Sequence, residues 1–184
     1  MGFHTFDPEG ADRLEDPSRF RYCSREELAA ALAPDADSRV ADLGSGTGFY
    51  TREIAPFAGR VDAVDVQPEM HDAFREQGVP ENVSLVTADV SDLPFADGAL
   101  DGAFSTMTFH EFASPDALAE VRRVLADGAR FVAADWSAAG RGEDGPPVDE
   151  RFDADEAAEL LADAGFDVER AEERPETLFV VARA

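Results

Sequence analysis

Lysine is absent from this sequence, and cysteine occurs once in 184 residues. The single Cys23 excludes an intrachain disulfide and a cysteine-built zinc site, since such sites use two or more thiolates at fixed spacing. His4, His71 and His110 are scattered rather than paired at helical spacing, so no metal is expected. Long apolar runs are missing too. Stretches such as 131–134 fall far short of the eighteen or so residues that span a bilayer, which argues against a membrane helix. The acidic start, MGFHTFDPEGADR, lacks the charged-then-apolar pattern of a secretory signal, so a soluble, cytoplasmic protein is expected. The length suits one compact domain over 1–184 and leaves no room for a second substrate domain of ordinary size.

What replaces lysine is telling. Sixteen basic residues, all Arg, stand against forty Asp and Glu, for a net charge of −24. Such a balance ordinarily argues against nucleic acid, which needs clustered cations. Here the acids are spread through every segment instead of forming a tail, the pattern expected of an extreme halophile whose surface stays hydrated in molar salt. The charge then reports on the solvent more than on the partner, and nucleic acid stays undecided.

Along the chain, apolar strand patterns alternate with helical ones. After an N-terminal cap segment, 1–34, in which Ser24-Arg25-Glu26-Glu27 has the form of a capping box before a short helix stopped by Pro34, strands are predicted at 39–43, 61–66, 83–87, 99–106 and 129–135. Helices are predicted at 48–57, 68–77 and 115–126, the last two opening on Pro68 and Pro115. The alternation implies a parallel sheet covered on both faces, an α/β Rossmann-like architecture. A Pro- and Gly-rich piece, Gly140 to Pro147, follows the fifth strand and reads as a mobile loop beside the site. A helix capped by Asp153 and ended by Gly165 leads into strands at 166–173 and 177–183, read as a terminal hairpin.

Chemistry concentrates at strand ends. Val40-Ala41-Asp42-Leu43-Gly44-Ser45-Gly46-Thr47-Gly48 is a strand running into a glycine turn and then a helix, a geometry that lets a ligand approach the backbone. Its third glycine falls one place early for the dinucleotide fingerprint, which counts against NAD. The second strand ends in Asp65-Val66, where a carboxylate can accept hydrogen bonds from ribose hydroxyls. Asp62, inside that strand, is expected to be a solvated or hydrogen-bonded surface acid. Asp89-Val90, just past the third strand, can meet an adenine, with a turn aspartate as the alternative. Thr106 and His110 follow the fourth strand, and Asp135-Trp136 ends the fifth on the same rim. His110 could deprotonate a hydroxyl or thiol, or could simply pack; Trp136 could be a substrate wall, or a core or lid residue.

These elements together resemble the class I S-adenosylmethionine-dependent methyltransferases, in particular the ubiquinone/menaquinone-type group called methyltransferase type 11. The likeness runs through Val40 to Tyr50, Val64 to Met70, Ala88 to Phe95, Leu100 to Phe112, Val121 to Leu125 with Asp127-Gly128, and Asp135-Trp136. It implies a seven-stranded sheet with its last strand antiparallel. It also implies S-adenosylmethionine as cofactor, with Asp42, Gly44, Ser45 and Gly46 at the methionine end, Asp65 and Val66 at the ribose, Asp89 and Val90 at the adenine, and Thr106 beside the sulfonium. The Asn-Pro-Pro-Tyr turn of related nitrogen methyltransferases is missing after the fourth strand, and the cysteines of arsenite methyltransferases are missing altogether.

The expected activity is therefore methyl transfer by in-line displacement to an unidentified acceptor. A nicotinamide-dependent oxidoreductase and a nucleoside-binding regulatory module without turnover are the competing readings. Because some methyltransferases of this superfamily work with a small zinc-binding activator protein, the resemblance also implies a possible partner. The uncharged strand 83–87, placed by the family arrangement at a sheet edge, is where such a protein would pair.

Overall fold

The computed structural model describes residues 13–184; residues 1–12, with His4 and the start of the expected cap segment, lie outside the described residues. Seven strands form one sheet: β1 Arg39–Leu43, β2 Arg60–Asp65, β3 Val83–Thr87, β4 Leu100–Thr106, β5 Leu125–Trp136, β6 Asp167–Glu173 and β7 Thr177–Arg183. Their order is β3-β2-β1-β4-β5-β7-β6. The first five run parallel, and β7 inserts antiparallel between β5 and β6, closing the hairpin expected at the C-terminus.

Helices cover both faces, which is why β1 and β2 are buried along almost their whole length, their aspartates included. Successive residues of β5 enter different cores. Phe131 packs in the cluster with Leu118, Val121 and Leu161, whereas Val132 packs in the one with Leu28, Ile54 and Phe179. Helix α1, Arg25–Leu32, starts where Ser24 Oγ accepts the Glu27 amide at 3.2 Å. It stops at Ala33, in the left-handed region before Pro34. Helix α3, Pro68–Gln77, and α5, Pro115–Val124, begin at their prolines, and α6, Ala154–Asp163, has a full capping box between Asp153 and Glu156.

Three departures from sequence expectation have local causes. The helix expected over 48–57 divides into α2, Phe49–Ile54, and a 3-10 turn, Ala55–Phe57, because Pro56 cannot continue the hydrogen-bond ladder. Strand β5 begins four residues early, at Leu125, since that buried side chain pairs with Leu100; the register then shifts before Gly102 meets Arg130. A four-residue helix, α4 Phe109–Phe112, follows β4 and carries His110 onto the rim. Among the described residues, no helix is long and apolar enough to cross a membrane.

Candidate active site

Because β1, β2, β4 and β5 are parallel, their C-terminal ends share one rim, bringing together Asp42, Asp65, Thr106 and Asp135 from across the sheet. The turn after β1 holds its shape by internal contacts. The amides of Gly44 and Ser45 donate to the Val64 carbonyl at 2.9 Å, and that of Gly46 donates to Asp65 Oδ2 at 2.8 Å. Two of its glycines are needed by the protein itself: a Cβ on Gly44 would meet the Thr108 side chain at 2.3 Å, and one on Gly48 the Phe74 ring at 2.2 Å. At Gly46, φ +53, a Cβ would instead meet Leu14 at 3.5 Å, an ordinary contact among the described residues. The early third glycine thus seats helix α3's Phe74 instead of helix on strand.

Asp65 accepts from Gly46 and, at 2.9 Å, from the Gln67 amide, so its carboxylate is fixed while lone pairs remain for a ligand's hydroxyls. Beside it Val66 stands half exposed, a flat apolar surface on an otherwise polar rim. Asp42 is buried, with Oδ2 accepting from the Thr51 hydroxyl at 2.6 Å and Oδ1 without a partner. Burial pushes its pKa up to about 7 against the Thr51 hydrogen bond.

At the end of β4 the backbone enters the left-handed region at Met107, φ +61, an unusual state for a non-glycine residue. The turn delivers His110 to Asp135. His110 Nδ1 lies 2.9 and 3.0 Å from the two carboxylate oxygens, and its amide donates to Oδ2 at 2.6 Å. The Trp136 amide donates to the other oxygen at 2.7 Å, so Asp135, almost wholly buried, has donors on both oxygens. This arrangement puts the donor proton on Nδ1 and leaves Nε2 as the acceptor, 3.9 Å from Glu111. Burial alone favours the neutral ring, but the charge and hydrogen bond of Asp135, with Glu111, outweigh it and raise the His110 pKa. Burial likewise pushes Glu111 up to about 7, partly countered by His110.

Two peripheral segments close over the rim. In the N-terminal one, the Thr47 hydroxyl donates to Glu15 at 2.5 Å and Arg52 pairs with the same carboxylate. The 140–147 loop is strapped down: Arg151 donates to the carbonyls of Asp144 at 2.5 Å and Pro146 at 2.6 Å, and Tyr22 donates to the Asp144 carboxylate at 2.5 Å. Trp136 is its seat. Tyr22 packs edge-on to the indole at 4.7 Å, Arg151 lies 5.6 Å from its centroid, and a Cβ on Gly145 would touch the ring at 2.5 Å. Trp136 thus packs beneath the 140–147 loop and ties it down.

Other sequence-selected residues fall out differently. Asp62 is a correction: it is fully buried, not a surface acid, and is held by Arg39 at 2.7 Å and Arg60 at 2.9 Å. Asp89 is exposed and accepts from the amide and hydroxyl of Ser91 at 2.8 and 2.7 Å, the turn role foreseen as its alternative. It nevertheless sits just past β3, whose Thr87 pairs with Asp65, and Val90 behind it is buried. Thr106 is buried at the end of β4. His71 packs on the Thr87 hydroxyl at 3.1 Å, and Cys23 is a buried thiol whose pKa burial pushes up to about 12. Sequence reasoning put Asp135 on the rim without pairing it to His110. Contact between residues 25 apart has no local signal.

The donor set suits S-adenosylmethionine: a fixed carboxylate at the end of β2, an exposed apolar residue after it, a glycine turn whose Gly46 is not closely packed, and a buried carboxylate oxygen lacking a donor. Comparison with known proteins agrees. Residues 41–133 match the family described as Methyltransferase domain. A SAM-dependent methyltransferase from Aquifex aeolicus superposes with a TM-score of 0.86 at 31% identity, covering 97% of this chain and 98% of that one. The methyltransferase partner in a complex with the Haloferax volcanii Trm112 methyltransferase activator shares the fold, with a TM-score of 0.78 at 22% identity over 98% of this chain and 99% of that one. The O-methyltransferase cnsE of Penicillium expansum is 30% identical over 84% of this chain and 63% of its own length. The chain spans 18% to 63% of the first curated relatives it matches. These matches lend no support to a nicotinamide-dependent oxidoreductase or to a nucleoside module without turnover. With a family match over half of its length, and with fold and rim agreeing, the chain belongs to the class I S-adenosylmethionine-dependent methyltransferases.

Proposed function

We propose that this protein methylates an oxygen or sulfur of an acceptor whose proton is removed by His110. The observation that carries this is the His110–Asp135 pair, with Nδ1 engaged at 2.9 Å and Nε2 directed away from the carboxylate that holds it. Asp65 and Val66 would hold the ribose side of the cofactor, Asp42 and the Gly44 to Gly46 turn its methionine end, Asp89 and Val90 its adenine, and Thr106 would lie beside the sulfonium. S-adenosylmethionine supplies the methyl group on a cationic sulfur that departs as a neutral thioether, so no acid is needed at the leaving group. Orientation does the rest, worth about 7 to 11 kcal/mol in favourable cases.

The charges around His110 narrow the acceptor. Asp135 and Glu111 flank the imidazole, and the nearby Arg151 cation is engaged by the carbonyls of Asp144 and Pro146. An anionic acceptor would meet repulsion there, whereas a neutral hydroxyl or thiol would not. The name of the Penicillium relative, an O-methyltransferase, is in keeping with oxygen. The test is transfer of labelled methyl from S-adenosylmethionine to fractionated RNA, protein, lipid and small-molecule pools. The label should survive mild alkali, as ethers and thioethers do. Label released by alkali would identify a carboxylate acceptor and overturn the proposal.

A protein partner at β3 is a second element of this reading. The two sheet edges differ: β6 carries Asp167, Glu169, Arg170, Glu172 and Glu173, charges that guard against pairing, while β3 is Val-Ser-Leu-Val-Thr. Exposed Phe57 lies beside it, because Asn82, at the start of β3, donates to the carbonyls of Ala55 and Ala58. A small zinc-binding activator would add a strand here; the Haloferax neighbour, too, is found in complex with an activator. Leu85→Lys should abolish co-purification with such a protein while leaving S-adenosylhomocysteine affinity unchanged. A monomer that is fully active alone, and indifferent to this substitution, would remove the partner.

The charge pattern supports a halophilic origin. Screening lengths fall to about 3 Å at molar salt. Melting temperature should accordingly rise steeply between dilute buffer and molar KCl as repulsion among the forty acids is screened. A melting temperature indifferent to salt would sink this reading.

A further inference from the structure

The four residues of helix α4, Phe109-His110-Glu111-Phe112, divide by face. Phe109 and Phe112 are buried in the cluster with Leu118 and Phe131, and a turn of helix that buries its first and fourth positions directs the two between them elsewhere. His110 and Glu111 therefore reach the rim together, with His110 Nε2 3.9 Å from Glu111 Oε1.

Both are acceptors without a donor. Nδ1 of His110 is engaged by Asp135, which leaves the lone pair on Nε2. Among the described residues, the Glu111 carboxylate accepts no hydrogen bond and has no arginine within ion-pair reach. Asp135 is the contrast, with donors on both oxygens. Glu111 is short of water as well, its side chain being 23% exposed, and burial raises its carboxyl to about 7 against the pull of His110. The Asp65 charge acts on it too, so Glu111 lies toward the part of the rim where β2 ends. A nitrogen lone pair and a carboxylate oxygen 3.9 Å apart are too distant to share one proton, yet close enough to receive two donors from neighbouring atoms of one ligand.

We propose that the acceptor carries a second hydrogen-bond donor on the carbon adjacent to its reacting hydroxyl, as in a vicinal diol or amino alcohol, and that Glu111 holds that second group while His110 takes the proton of the first. This rests on the reading of His110 as the base. As the hydroxyl oxygen attacks the methyl carbon, its proton passes to Nε2 and the carbon–sulfur electron pair stays on the departing thioether. The neighbouring donor keeps its proton and its bond to Glu111, so the product is a monomethyl ether. Adding a partner to a half-buried carboxylate recovers what its desolvation costs, and an acceptor without the second donor forgoes that gain.

Periodate tests this, because it cleaves the carbon–carbon bond of vicinal diols and amino alcohols. Pools that accept labelled methyl from S-adenosylmethionine are treated with periodate, then quenched and reduced with a water-soluble phosphine that restores thiols. Transfer to the treated pool should be lost, and undiminished transfer would overturn the proposal. Prior N-acetylation protects an amino alcohol from cleavage but not a diol, and tells the two apart. Glu111→Ala should raise the acceptor's KM by roughly tenfold or more, and Glu111→Gln, which keeps a carbonyl oxygen as acceptor, should recover part of that loss. Calorimetry with S-adenosylhomocysteine should find the same affinity in both variants and the wild type. Weakened S-adenosylhomocysteine binding with an unchanged acceptor KM would place Glu111 against the cofactor instead and refute the assignment. Transfer that survives periodate but is lost in His110→Asn would sink this proposal and spare the base, whereas no transfer to any untreated pool would remove the proposed function itself.

Discussion

Asp65→Ala is expected to weaken S-adenosylmethionine binding by about 1 to 3 kcal/mol, the usual cost of deleting one partner of a charged, buried hydrogen bond. Two effects add. The carboxylate proposed as acceptor for the ribose is removed, and the amides of Gly46 and Gln67, which it holds at 2.8 and 2.9 Å, are released, loosening the turn. Asp62→Ala is the matched control, three residues earlier on the same strand. It should leave cofactor affinity intact and lower the melting temperature instead, because Asp62 is fully buried between Arg39 and Arg60. Breaking a buried pair costs about 3 to 5 kcal/mol when the partner is stranded. Here the arginine side chains are 33% and 51% exposed and can return to water, so a loss of about 1 to 2 kcal/mol is expected. Calorimetry with S-adenosylhomocysteine and thermal melts in molar salt separate the two outcomes. Equal affinity losses would remove Asp65 from the cofactor site.

His110→Asn should lower kcat by about 10²- to 10⁴-fold, the usual contribution of a positioned base, without changing S-adenosylhomocysteine affinity. Its pH dependence follows from the ring's surroundings. A base must be neutral, so the rate should climb as pH rises through a His110 pKa lying above the ordinary 6.5 of imidazole. Asp135 and Glu111 hold it up; burial and the Arg151 charge oppose them. Asp135→Asn removes the largest supporting charge, so the ascending limb should move to lower pH while the maximal rate falls, the mark of a positioning residue. Glu111, pushed by burial to about 7, is a second group that could shape the limb, and Glu111→Gln distinguishes the two. The limb should persist in that variant and vanish in His110→Asn. Full activity with a flat pH profile in His110→Asn would show that the acceptor needs no base from this chain.

The sequence by itself determined most of the frame. Strand patterns at 39–43, 83–87 and 177–183, prolines at the starts of α3 and α5, and the Asp153 cap are local signals, set by the residue and its immediate neighbours. They gave β1, β3 and β7 their boundaries. The glycine turn and the acid at the end of β2 were legible for the same reason: strand ends of a parallel sheet converge wherever they occur. What escaped was non-local. Asp62 reads as any acid in a strand, and only the pairing of β1 with β2 brings Arg39 across to bury it. His110 and Asp135 stand 25 residues apart, and the β4–β5 register, Thr106 against Ala134, is what lets one carboxylate fix the other's ring. Gly44 and Gly48 looked like room for a ligand until Thr108 and Phe74 were seen to fill it. The 140–147 loop was legible as a loop, but its docking was not, because its place depends on surfaces that exist only after the sheet has formed. Local propensity is written residue by residue, whereas burial and charge pairing belong to the assembled layers, and the chemistry of this rim depends on the second.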